Sequence, residues 1–522
     1  MRPVSLMHLP VELHTSILKF LLSLSRQSTL SEARMMAHIL GFTPPLDPDP
    51  VIWEWIERDL CSESLFPFNA ASVCKLWRDI LARMPECWTQ VVFDVVSDPG
   101  PFLDAFSWSR NLEKIEVAIF NSSEYAEDVD EALEKKRISA IAQALQPHVH
   151  RCTSISFDII YSSSLPPPNI FFLRDALDLH ELLLECRMDD FDASTHPLPP
   201  TLLEEQPTFA TSFPELFKLS VPAFWLIDMP LFTPNPEWLD QLNTSKMDIT
   251  IANFEFPKNG LYSLANFLSC LCQLKDPTCI SLRNLTLSYE YCDHNLDSFD
   301  TSNLTYTISA DIHFTSTSKD FIAHLYSVAD VISDETLSFE DCEIPNISHL
   351  QYACNIYLEN IPDDQGLSLR NILAAWEGSR LAIHSCPSFN DTFLSWLQSE
   401  GEYTCLDSEG NGISLKMFPA EYLTSLHVED CVDFTTPALV DVIRFRKDTN
   451  AAFLELEEVD TDRPLHTYPI NSLSVTGRGP MLRVEAINWF QSYDNGGHIS
   501  VSWHTEDDEG ELNGFLLRGL YD

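Results

Sequence analysis

Apolar residues recur along the first part of the chain at the spacing of helices. Leu9-Pro10 opens one helix, because proline suits the first turn, where its missing N–H costs nothing. Val11, Leu13, Ile17, Leu18, Leu21 and Leu22 then build a wide apolar face. A second helix is expected over residues 69–84, with Asn69 as N-cap and Pro85 as stop. Its stripe is Val73, Leu76, Trp77, Ile80, Leu81 and Met84, with Lys75, Arg78, Asp79 and Arg83 on the other side. Between the two, Pro44, Pro45, Pro48 and Pro50 preclude helix. Residues 51–61 are expected to form a short helix carrying Trp53, Trp55 and Ile56.

After residue 100 the period shortens to that of strands. Alternating runs start near Leu112, Thr153, Leu182, Leu216, Leu282, Leu337, Leu381, Leu423 and Phe453, each followed by a helical or irregular stretch. Two late units match at an offset of 45 residues, which superposes Cys386 on Cys431. Leu381 then meets Leu426, Ile383 meets Val428, Phe389 meets Phe434, Leu394 meets Leu439, and Leu397 meets Val442. Strand, cysteine, turn and helix in that order make the pattern of a leucine-rich repeat. Such a unit cannot bury its own apolar face, so neighbours must stack to form a continuous core. The other reading is an ordinary α/β domain, although 15 glycines are few for a doubly wound nucleotide-binding fold. The strand order between Pro222 and Leu282 is not legible, and the Pro-rich stretch 192–214 is expected to be a loop insertion.

Composition narrows the function classes. The 522 residues hold 32 Lys+Arg against 78 Asp+Glu, a net charge of −46. So acidic a chain is a poor binder of nucleic acid or of an anionic membrane, both of which need clustered cations. Residues 1–96 carry only −3, leaving −43 for the remainder. That contrast suggests two functionally different regions. The 14 cysteines include no CxxC pair and read as buried reduced thiols. A zinc site among Cys270, Cys272, Cys279, Cys292 and His294 fits no usual ligand spacing. No secretory signal or roughly 20-residue apolar span is evident, so a cytoplasmic or nuclear location is expected. The phosphate-loop motif GxxxxGK(S/T) is absent, as are GxGxxG, HExxH and GxSxG. No enzyme is expected, and no cofactor.

The two N-terminal blocks carry a family resemblance. Leu9-Pro10-Val11-Glu12-Leu13 with Ile17-Leu18, then Val73-Cys74-Lys75-Leu76-Trp77-Arg78-Asp79-Ile80, resemble the LPxE-type opening and the VCxxW(R) helix of an F-box. Met84-Pro85-Glu86-Cys87-Trp88 is similar to the P-x-L-W segment that follows F-boxes in mushroom-type fungi, with Cys87 in place of leucine. The resemblance implies a helical F-box-like domain over residues 3–96, interrupted by an insertion at about 25–69. Residues 51–61 or 31–40 stand in for its middle helix. An irregular leucine-rich-repeat-like solenoid follows over 97–522, with short parallel strands and helices on the outer side, an α/β architecture.

In such proteins the F-box docks the Skp adaptor of a cullin-RING ubiquitin ligase, and the repeats hold a protein substrate. By motif position the docking residues are Leu9, Pro10, Leu13, Ile17, Val73, Trp77 and Ile80. Trp77 serves equally well as a docking anchor or as the core of its own helical bundle. The −43 charge either keeps the solenoid soluble or favours a basic substrate. The alternative is a ligase-independent interaction scaffold whose F-box is degenerate.

Overall fold

A computed structural model describes residues 9–28, 53–55, 62, 65–112, 114–126, 129–171, 175–192, 213–232, 247–274, 277–291, 306–333, 335–347, 353–362, 366–374, 376–406, 412–455, 467–493, 499–506 and 512–517. They form two compact units, one of Met1–Leu216 with Phe232–Gln241, the other of Phe217–Leu231 with Leu242–Asp522. Both mix helices with parallel strands.

The first unit opens with the expected helix, Val11–Leu24, with Pro10 at its N-cap. The second expected helix is broken in two, Phe68–Val73 and Lys75–Leu81, because Cys74 is fully extended (φ −164°, ψ 161°). No glycine or proline sits at the break. Each piece buries its own face instead, Ala70 and Ala71 on one and Trp77, Ile80 and Leu81 on the other. Val73 thereby leaves the stripe and is 61 % exposed.

Trp53–Trp55 forms a strand paired antiparallel with Arg26–Ser28, where a helix was expected. The aromatic Trp53 and Trp55 alternate with Glu54, a period of two that suits the pleated form. Residues 31–40, the other stand-in for a middle helix, lie outside the described residues, as does the Pro-rich stretch 43–50. Four strands, Gln90–Asp94, Ile115–Phe120, Cys152–Tyr161 and Glu181–Met188, then pair parallel in chain order. The helix Glu131–Leu145 is pinned to them by the buried Glu134 carboxylate. It accepts from Asn121 Nδ2 (2.7 Å), Ile160 N (3.0 Å) and Tyr161 N (3.1 Å). Such satisfaction is what a buried carboxylate requires.

In the second unit, ten strands from Lys218–Pro222 to Ser500–Glu506 pair parallel, each with the next in the series. The edge strand Leu512–Leu517 is antiparallel. Two smaller strand pairs, Tyr306–Ser309 with Ala329–Ile332 and Gly401–Leu406 with Gly412–Met417, stand apart from this series. The expected superposition of the late units is realised as direct pairing, Leu381 opposite Leu426 and Ile383 opposite Val428. The same two positions repeat on all ten parallel strands. One apolar row runs from Leu219 through Ile312 and Leu381 to Val501, the next from Val221 through Phe314 and Ile383 to Trp503. Every residue of both rows is 2 % exposed or less.

Turn chemistry repeats with the strands. Asn253, Asn284, Ser316, Asp341, Asn360, Ser385, Asp430 and Gly477 hold positive φ between 48° and 72° at the matching place on eight successive strands. Glycine is free of strain in this region, and Asn and Asp tolerate it best among other residues. The following side chain reaches back to the preceding strand. Thr317 Oγ1 donates to Leu282 O (3.0 Å), Cys386 Sγ to Leu358 O (3.7 Å) and Cys431 Sγ to Ile383 O (3.9 Å). Burial pushes the Cys386 thiol up to about 12 and Cys431 to about 11, so both stay protonated structural groups.

Two strand assignments need correction. Phe453-Leu454-Glu455 ends the helix Thr436–Glu455 and is not a strand. Between Pro222 and Leu282, where no order was legible, lies the strand Asp248–Phe256.

Candidate docking surface

The sequence-predicted residues separate into a surface set and a core set. On the first helix Pro10 is exposed, Leu13 is 49 % exposed, and Leu9 and Ile17 are half-buried. On the second block Val73 is exposed, whereas Trp77 and Ile80 are each only 8 % exposed. Trp77 is thus a core residue in this structure, joined to the first helix by its indole. Its Nε1–H donates to His14 Nδ1 at 2.9 Å, and the two rings meet edge-on. His14 is fully buried beside the equally buried Leu18. This bond sets which way the helix faces. With His14 and Leu18 turned in, Leu13, Phe20 and Leu24 are turned out, at 49, 62 and 57 % exposure, and Val11 at the open start of the helix is 53 % exposed. Phe20 and Leu24 were not singled out by the motif, nor was His14. A histidine four residues before Leu18 inside an apolar face was the available sign.

The segment behind the second block is structural. Trp88 is fully buried, donates from Nε1 to Leu81 O (2.9 Å), and packs against Trp108 with centroids 4.8 Å apart. Cys87 is buried too, and burial pushes its thiol up to about 12. Arg26 donates to Glu86 O and to Thr89 Oγ1 (3.0 Å), which ties the end of the first helical block to this segment.

Elsewhere in the first unit an open pocket of about 490 Å³ is lined by Asn121, Ser122, Asp158, Glu185 and Arg187 among others. Arg187 is engaged there with Asp158 (3.5 Å) and with the carbonyls of Ser123 (2.7 Å) and Asn121 (2.8 Å). In the second unit the strand position just after the second buried row carries polar side chains on six adjacent strands. One line across the strands reads Thr315, Glu340, Glu359, His384, Glu429 and Thr476.

Of the cysteines weighed for zinc, Cys270 is buried and Cys272 and Cys279 are half-buried. Burial raises all three thiols, which disfavours the thiolate a metal needs. Cys292 and His294 lie outside the described residues. No helix among the described residues is long and apolar enough to cross a membrane. No protein-family model matches the chain, and no curated protein matches it.

Proposed function

We propose that this chain is a substrate receptor of an SCF-type cullin-RING ubiquitin ligase, docking the Skp adaptor through its first helix and holding a protein substrate on its repeats. The observation that carries this reading is the outward apolar face of Val11–Leu24, together with exposed Pro10 and Val73. Leaving such a face in water costs free energy, and large apolar side chains left open in this way mark an interaction site. The helix opens on proline, as the F-box resemblance asks. Leu9, Pro10, Leu13, Ile17 and Val73 are the contact residues in this account, and Trp77 and Ile80 hold the helices beneath them.

The second unit supports the receptor half of the reading. Its strand, left-handed turn and back-bonding Thr or Cys recur with buried apolar rows, which is the internal logic of a leucine-rich-repeat solenoid. The acidic balance of this region favours a basic substrate. Ubiquitin transfer belongs to the ligase partners and not to this chain.

Copurification of the full chain with the Skp adaptor tests the proposal. The double variant Leu9→Ala with Pro10→Ala is expected to lose the adaptor while melting like the parent. Retention of the adaptor by the folded variant would remove these residues from the site. The broken helix at Cys74 favours a second reading, a ligase-independent scaffold with a degenerate F-box, since it takes Val73 out of the expected stripe. A well-folded parent chain that captures no adaptor would establish that reading.

A further inference from the structure

Glu359, His384 and Glu429 stand directly opposite one another on three adjacent parallel strands, and Asp430 follows Glu429 at a left-handed turn. Glu359 Oε1 lies 2.9 Å from His384 Nδ1 and so accepts its proton. In the neutral imidazole this leaves Nε2 as a bare lone pair. That lone pair faces Asp430 Oδ2 at 3.4 Å. The pair is held either by a proton on Nε2 or by another cation seated between the two atoms.

The separation suits a metal ion as well as a proton. A charge-assisted N–H···O bond from a protonated ring spans ~2.7–2.9 Å. Two donors on one tetrahedral zinc ion, at ~2.0–2.1 Å each, lie about 3.4 Å apart. One ligand atom each of His384, Glu429 and Asp430 lies within 4.8 Å of the other two. We propose that His384 Nε2, Glu429 and Asp430 bind one divalent transition-metal ion, zinc in the first instance, as a site on the polar side of the repeat strands.

The surroundings fit that role. Glu359 on Nδ1–H is the carboxylate that orients a metal-bound imidazole and raises its basicity. Asp430 Oδ1 is occupied by the Arg478 backbone N–H at 2.7 Å, which leaves Oδ2 for the ion. Gly477 leaves room for this carboxylate, since a Cβ there would come within 2.5 Å of Oδ1. The Arg478 guanidinium, 3.7 Å from Oδ1 and 73 % exposed, is free to swing away when the ion enters. His427 Nε2, 3.5 Å from Glu429 Oε2, faces the same carboxylate from its own strand. A mixed imidazole and carboxylate set suits zinc better than calcium or magnesium, which take oxygen ligands. The site is independent of adaptor docking.

The test is calorimetric titration of the full chain, freed of metal with EDTA and dialysed, with ZnCl2 near neutral pH. One ion per chain is expected, with affinity falling as acid competes for the ligands. His384→Gln should weaken binding at least 100-fold, and Glu359→Gln by roughly 10–100-fold. Co2+ added to the parent chain should give the visible absorption of a tetrahedral complex, a readout that does not depend on any variant folding. Absence of zinc binding would overturn the proposal and leave His384 as a link between two carboxylates only. Equal binding by folded His384→Gln would overturn it as well, by placing the ion elsewhere.

Discussion

In the second unit, the two apolar rows that cross ten parallel strands are 2 % exposed or less throughout. The helix Val11–Leu24 instead leaves four large apolar residues about half exposed or more, and buries a histidine. Both segments are rich in leucine and its relatives, so composition alone does not separate them. What separates them is who completes the core. In the strands each row is closed by the next copy of the same pattern, whereas the helix has a polar anchor beneath and nothing of this chain's described residues over its outer face. Apolar residues that stay open, with no further copy of their own pattern to close over them, are the ones available to a partner.

The largest expected effect breaks the ladder. Leu381→Ala removes a side chain buried between two like neighbours and should cost ~2–5 kcal/mol in urea denaturation. A cost below about 1 kcal/mol would mean that the row is not the core described. Next comes Gly477→Ala. Its φ of 72° and the contact with the Asp430 carboxylate together predict a loss of roughly 1–2 kcal/mol, read from the same denaturation curves.

On the helical side, Trp77→Phe keeps an aromatic ring but removes the pyrrole edge of the indole and with it the bond to His14. A loss of about 1 kcal/mol is expected, with adaptor binding weakened only as far as the helix loosens. If Trp77→Phe abolished binding in a fully folded chain, Trp77 would be a contact residue after all. The smallest effect is a pH slope. Burial first, then Arg151 and His150, lower the His148 pKa to about 4 from its ordinary 6.5. The unfolded chain therefore binds the extra proton between these values, and stability should fall as pH drops from about 6.5 to about 4. Replacing His148 with glutamine should flatten the slope in melts taken across that window.

The ladder was legible where two units kept the same side chains at both inward rows and at the following cysteine, as Leu381, Ile383 and Cys386 do with Leu426, Val428 and Cys431. It was illegible where spacing and chemistry varied. Thr336–Glu340 is followed by Asn355–Glu359 with no described helix between, and Tyr357 stands among the polar outward positions. A short apolar run such as Phe453-Leu454-Glu455 reads equally as strand or helix end, and only the preceding helix decides. The same ambiguity misassigned Trp53–Trp55. The break at Cys74 has no local sign, because packing on both sides of it and not the residue itself demands the extended backbone. At the candidate site the exposed Pro10 and Leu13 were legible from the motif. The His14 bond was not, since helical periodicity counts a histidine as merely polar. His384 and Glu429 could have been found together, because the 45-residue offset that aligns the leucines also superposes them.

Adaptor docking through the outer face of the first helix is tested most directly by one titration. The purified Skp adaptor is titrated with the full chain and with Leu13→Asp, alongside a melt of each. Leu13 is half exposed, so the substitution should leave stability within about 0.5 kcal/mol. It should cost binding about 2 kcal/mol or more, a loss of roughly 30-fold. Equal affinity of the two folded proteins, or no saturable binding by the parent chain, would contradict the account.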